Sequence, residues 1–150
     1  MIVACLKELA RNQEIWEQQQ DGREQKQKEA QVYYSREPAS IIEDVILMGC
    51  PASITTSKWL PCREIVGGRL INCYSKNDMI LALMYRVMNF PSSLLTAPVG
   101  ISHVNVAGIE NFDVSELVAN HSEYCVAVRE ILDLVGYNQP ANVTHTCSVD

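Results

Sequence analysis

The sequence predicts an α/β fold, a mostly parallel sheet flanked by helices, and three observations carry that reading. Helical and strand-like apolar periodicities alternate in the order helix, strand, helix, strand, helix, strand, helix, the grammar of a parallel sheet covered on both faces. Two strand-like runs, in IIEDVILMGCP and RLINCYS, are continuous apolar blocks, as strands buried on both faces require. With 150 residues, 47% hydrophobic and 20% charged, the chain has the size of one domain and is too apolar for disorder. Its 7 Gly and 6 Pro exclude a collagen-like or linker chain.

Ile2, Leu6, Leu9, Gln13 and Trp16, with Val3 and Ala10 beside them, recur at helical spacing, so the chain opens on an amphipathic helix without an N-terminal cap. From Glu17 to Gln31 thirteen of fifteen residues are Gln or charged, which marks a solvated helix extension or a disordered insertion running to about Ser40. A coiled-coil partner face there lacks the necessary apolar a/d repeat. Pro38 ends the segment. The first strand lies in IIEDVILMGCP and stops at Gly49 and Pro51. Ser57 to Val66 forms a short helix ending at Gly67-Gly68, and RLINCYS is the second strand, halted at Lys76-Asn77-Asp78. MILALMYRVM is apolar around nearly its whole circumference, which predicts a buried helix. Between Val99 and Val114 the pattern is strand-like but broken by Gly100 and Gly108, giving one irregular strand or a short pair. Tyr124, Val128, Ile131, Leu132 and Val135 line one face of a last helix that Gly136 ends; residues 138–150 read as a loose tail.

Twelve basic residues against 18 acidic ones give a net charge of −6 and no basic footprint for nucleic acid or an anionic membrane. Cys5, Cys50, Cys62, Cys73, Cys125 and Cys147 are unevenly spaced, with no C-x-x-C pair and no close His, so a zinc site is not expected and no other metal or cofactor is implied. Most sit in apolar stretches and read as small buried hydrophobes in a reducing compartment. The N-terminus has neither the basic start nor the cleavage site of a secretory signal. The longest apolar run, Met79 to Met88, is interrupted by Arg86 and is shorter than the roughly 18–20 residues that span a bilayer. The sequons at Asn120 and Asn142 are therefore read as chance matches.

The chemistry-bearing candidates are Asp78 and His121. Asp78 sits in a polar turn directly after a buried strand, where open parallel sheets place functional groups. It reads first as the cap of the following helix and second as a working carboxylate. His121, in VANHSEY, lies between an acidic turn and the last helix; an Asp orienting a His is two-thirds of a hydrolytic triad. The nucleophile turn G-x-S-x-G that should precede them occurs nowhere in the sequence. Ser53 and Ser57, in PASITTS, lack the flanking glycines. Cys50 ends a strand, but nothing around it lowers a thiol pKa. His103 and His145 read as structural or exposed. Arg63 and Arg69 flank Gly67-Gly68 and read as solvated surface residues before they read as an anion site. No glycine-rich phosphate loop is present.

Three stretches, IIEDVILMGCP, WLPCREIVGGRLINCYSKNDMILALMYR and GIENFDVSELVANHSEY, resemble the C-terminal half of the α/β-hydrolase-like family that includes transmembrane and coiled-coil domain-containing protein 4. MIVACLKELA resembles the helix that follows the family's G-Y-S-L-G nucleophile turn. The resemblance implies a partial α/β-hydrolase-like fold over residues 1–137, lacking its N-terminal half. It also implies a membrane-associated, lipase- or esterase-like protein with this portion facing the cytosol. In it Asp78 matches the triad acid and His121 the triad base, on an ester or lipid substrate. Some family members are linked to vesicle trafficking through adaptors, so a non-catalytic interaction module is the alternative. The chain departs from the family at Asn120 (Gly), Met79 (Trp), His103 (Pro) and Cys50 (Ala), and Asn120 is expected to stiffen the loop presenting His121 by resisting positive φ. On this reading the chain is catalytically inactive alone, and an unpaired strand edge makes it express poorly or self-associate.

Overall fold

A computed structural model of the chain describes residues 2–21, 37–91 and 96–137. Three strands, β1 (Val45–Met48), β2 (Leu70–Tyr74) and β3 (Ile109–Asp113), form a parallel sheet in the order β1-β2-β3. The register sets Val45 opposite Leu70, and Leu70 opposite Ile109. Helix α1 (Ile2–Asp21) precedes β1, α2 (Leu60–Glu64) joins β1 to β2, α3 (Met79–Met88) follows β2, and α4 (Val128–Leu134) follows β3. The α/β class and the order of elements are those the periodicities predict. The polar run is helical as far as Asp21. Its remainder and the tail from residue 138 lie outside the described residues.

Side-chain alternation along each strand builds a core on each face of the sheet. Val45, Leu47 and Leu70 face one side and pack with Leu6 and Ala10 of α1 and Cys62 of α2. Ile71 and Cys73 face the other and pack with Tyr124, Ile131 and Val135. The polar exception inside β2 is Asn72, fully buried. Its amide donates to the carbonyls of Val99 and Ser102 and to Asn111 Oδ1, which lies across the ladder at 3.1 Å. Asn111 in turn accepts from Val104 N–H at 2.7 Å and donates to Val104 O at 3.0 Å. These two amides hold the 99–104 segment against the sheet and so set the position of Gly100.

Two expectations are corrected, the burial of α3 and the undivided last helix, and one open alternative is resolved. Helix α3 buries only Leu81 and Tyr85 among its large residues, while Met79, Ile80, Leu83, Met84, Val87 and Met88 are each at least half exposed. Leu81 and Tyr85, four apart, form one face, set against the short turns at Val99–Ile101 and His121–Cys125. Apolar residues all round a helix state what it can cover, not which elements are present to cover it. The segment from Val99 to Val114 contains one strand, preceded by a 3₁₀ turn at Val99–Ile101. The last helix is divided into a 3₁₀ turn over His121–Cys125 and α4, which Gly136 ends at φ 71°. The cysteines divide too: Cys50, Cys62 and Cys73 are buried, whereas Cys5 and Cys125 are exposed, and all five are free thiols.

Candidate active site

Asp78 and His121, 43 residues apart, meet above the carboxyl ends of β2 and β3. His121 Nδ1 lies 2.6 Å from Asp78 Oδ2. The Asp78 carboxylate is fully buried, while the His121 side chain is 45% exposed. The other carboxylate oxygen, Oδ1, accepts the Leu81 N–H at 2.9 Å and caps α3. The helix-cap reading of Asp78 is borne out by one oxygen, and the other oxygen meets His121. His121 Nε2 has no hydrogen-bond partner among the described residues.

The two loops that carry the pair are tied together by backbone-directed side chains. Ser75 is buried; its hydroxyl donates to Val118 O at 2.7 Å and accepts the Asn77 N–H at 3.2 Å. One residue on, Lys76 N–H donates to Ser115 Oγ and the Asn77 amide donates to Ser115 O. The turn after β2 is thereby fastened to the turn after β3, so the carboxylate and the ring are held by neighbouring strands of one sheet.

Within the second loop Asn120 acts as the cap of the 3₁₀ turn. Its Oδ1 accepts from Ser122 N–H, and its amide donates to Glu123, whose other oxygen accepts the Ala119 N–H at 2.6 Å. The backbone at Asn120 is extended, φ −150°. The loop is thus fixed by these side-chain bonds, and the expected resistance to positive φ has no bearing on it.

Gly49, Gly100 and Tyr124 form the floor, and sequence reasoning missed their part. Gly49 adopts φ +57°, and a Cβ there would meet Tyr124 at 2.7 Å. Gly100 approaches the Gly49 and Cys50 backbone so closely that a Cβ would lie 2.5 Å from Gly49 C. Its N–H donates to Cys50 O at 2.8 Å and its carbonyl accepts from Ser75 N–H at 2.9 Å. The Tyr124 ring stands edge-on to His121, with centroids 6.0 Å apart. Burial first, and then the Asp78 charge, push the Tyr124 phenol well above its ordinary range, so it is neutral beside the carboxylate. The spacing of Tyr124 three residues after His121 was the available signal, but it reads equally as a core position of a helix.

The remaining candidates are elsewhere or otherwise engaged. Burial pushes the Cys50 thiol up, opposite to what a nucleophile needs. Ser53 bonds Thr55, and its carbonyl accepts from the Trp59 indole. Arg63 donates to Val66 O and Gly68 O, closing its own loop, and Arg69 makes a bidentate pair with Glu110, so neither is a free anion site. His103 is exposed. His145 lies outside the described residues. Among the described residues no group of three or more His, Cys, Asp or Glu could hold a metal ion, and no helix is long and apolar enough to cross a membrane.

The family model for a protein of unknown function, DUF726, matches residues 30–138. The chain is 39% identical over 105 residues, 69% of its length, to transmembrane and coiled-coil domain-containing protein STS1 of Oryza sativa, covering 15% of that protein. An uncharacterized membrane protein of Schizosaccharomyces pombe is 36% identical over 104 residues, 69% of this chain and 18% of that one. Probable lipase MIL1 of Saccharomyces cerevisiae is 35% identical over 97 residues, 64% of this chain and 9% of that one. The chain thus spans less than a fifth of the length of these relatives. No solved structure matches it.

Proposed function

Because the chain belongs to the family described as protein of unknown function DUF726, we propose that it carries the acid–base part of a serine-hydrolase-type site on an α/β-hydrolase-like scaffold. The observation that carries this is the 2.6 Å contact between His121 Nδ1 and a fully buried Asp78, with no hydrogen-bond partner on Nε2 among the described residues. In this role Asp78 Oδ2 holds the proton on Nδ1, leaving the Nε2 lone pair to take a proton from a serine hydroxyl and return it to the leaving group. Asp78 then steadies the imidazolium. The buried carboxylate fixes ring and tautomer; the half-exposed ring keeps Nε2 accessible. The order acid before base after successive parallel strands fits a scaffold whose nucleophile comes earlier in the chain. That serine would lie outside this sequence. An ester or lipid substrate is supported by the relative named a probable lipase, and membrane association of the whole protein by the relatives named membrane proteins.

The test uses the intact protein and a p-nitrophenyl ester. His121→Ala is expected to lower kcat by about 10⁴–10⁶ and Asp78→Asn by about 10⁴, as in other triads. An esterase rate unchanged by His121→Ala removes the assignment. The 150-residue chain alone should not react with a serine-directed fluorophosphonate.

A second reading, a non-catalytic module that binds a trafficking adaptor or membrane partner, is favoured by the exposed apolar face of α3. Partner binding by intact protein that is lost on Leu83→Lys and kept in His121→Ala, together with no esterase activity in the wild type, selects it.

A further inference from the structure

On the face of the sheet covered by α1, a cleft of about 470 Å³ opens between α1, the Pro51–Trp59 segment and the end of α3. Its volume is in the range of small-ligand sites. Two lysines line it, Lys7 on α1 and Lys58 at the end of the turn Thr56–Lys58, and no Asp or Glu does. Neither lysine has an ion-pair partner among the described residues. In a chain of net charge −6, two lysines that line one cleft and have no ion pair among the described residues form a local reversal of sign.

The polar lining adds a hydroxyl donor. Ser53 Oγ and Thr55 Oγ1 are 2.7 Å apart and both line the cleft. Whichever hydroxyl donates to the other, the accepting one keeps its own proton free. The Trp59 ring, almost wholly buried and anchored through its indole N–H to Ser53 O at 2.7 Å, gives a rigid wall. The adjoining depression, which Lys7 and Lys58 also line, contains Arg11 and Glu14. Arg11 pairs with Glu8 at 3.1 Å and Glu14 brings a carboxylate to that depression, so the excess of positive charge belongs to the larger cleft, which the two lysines line without an Asp or Glu.

The geometry points to this cleft as a binding site for a phosphate group, with Lys7 and Lys58 as the charge partners and the Ser53–Thr55 pair as hydroxyl donor. A lipid headgroup and a free phosphate ester offer that same chemistry. The site is separate from the Asp78–His121 pair and does not rest on the hydrolase proposal.

The test is titration of the soluble fraction of the 150-residue chain with inorganic phosphate and with glycerol 3-phosphate, followed by Trp fluorescence, and co-sedimentation with vesicles of phosphatidylcholine with and without phosphatidic acid, each read above the protein that sediments without vesicles. Lys7→Gln and Lys58→Gln are each expected to weaken binding several-fold and the double variant at least about tenfold, whereas Arg129→Gln on α4, with the same charge change, leaves it unaltered. Saturable binding of the soluble phosphates with this pattern identifies a free phosphate ester. Binding confined to phosphatidic acid vesicles with this pattern identifies a headgroup. Absence of binding to every probe, or equal loss in Arg129→Gln, overturns the site.

Discussion

Gly49 and Tyr124 share a volume that only glycine leaves open: a Cβ at Gly49 would lie 2.7 Å from Tyr124 Cε2, and 3.3 Å from His121 Cε1. Gly49→Ala must therefore displace the tyrosine or the imidazole while adopting φ +57°. Overpacking and left-handed backbone together are expected to cost on the order of 2 kcal/mol. Urea unfolding reads the loss, and the His121 Cε1 proton resonance should move. An unchanged midpoint and resonance would show that the floor of the site is soft.

Ser75 fastens the Asp78 turn to the His121 loop through Val118 O. Ser75→Ala leaves that buried carbonyl and the Asn77 N–H without their partner, a loss of about 1–3 kcal/mol. The Nδ1 proton between His121 and Asp78 should then exchange faster with water in proton NMR. Unaltered exchange would mean that the strands alone hold the pair.

Alkaline pH should destabilise the fold from the side of β2 that α4 covers. Burial pushes the Cys73 thiol up to about 12 and raises the Tyr124 phenol as well. A folded pKa above the unfolded one means that the stability is fully present below the unfolded values, about 8.5 for Cys and 10 for Tyr, and is lost as pH rises through the folded values. Chemical unfolding followed from about pH 8 to 11 should show this decline, and Tyr124→Phe should flatten its upper part. Equal slopes in wild type and variant would contradict it.

At acid pH the relevant groups are Glu110 and Asp113. Hydrogen bonds from Arg69 hold the Glu110 carboxyl below its ordinary range; those from Lys76 and then Ser115 do the same for Asp113. Depressed folded values give stability that is present above about pH 4 and is lost as pH falls through them. Solvent screening keeps the Arg69–Glu110 share below about 1 kcal/mol. Glu110→Gln should therefore fall slightly less than wild type in urea midpoint between about pH 6 and pH 3; an identical fall would show that the pair does not contribute.

The outward face of α3 exposes Met79, Leu83 and Val87 along one row and Ile80, Met84 and Met88 along the next. The isolated chain should self-associate through such a face. Leu83→Lys with Val87→Gln should shift light scattering toward monomer, and persistence of the aggregate would point instead to the outer edge of β1, which no strand pairs among the described residues.

The fold was legible because its signals are local. Alternation of apolar blocks marks β1 and β2, and Gly67-Gly68 and Gly136 mark where helices stop. The burial of α3 was not legible, since composition says nothing of neighbours; Leu81 and Tyr85 are chemically no more core-like than Leu83 and Met84. Of the site, Asp78 and His121 were readable from their address after strands, but Asp78 also satisfies every rule for a helix cap. The pair is created by a contact across 43 residues, and the parts played by Ser75, Gly100 and Asn120 are hydrogen bonds between loops, which leave no periodicity in the sequence.

The two oxygens of Asp78 face different masters: one holds the first turn of α3, the other the ring of His121. Helix and imidazole are therefore coupled like the two arms of a lever pivoting on a single buried carboxylate. An occupant of the apolar side of that helix would thus lie a single hydrogen bond, Leu81 N–H to Asp78 Oδ1, from the carboxylate that meets the ring.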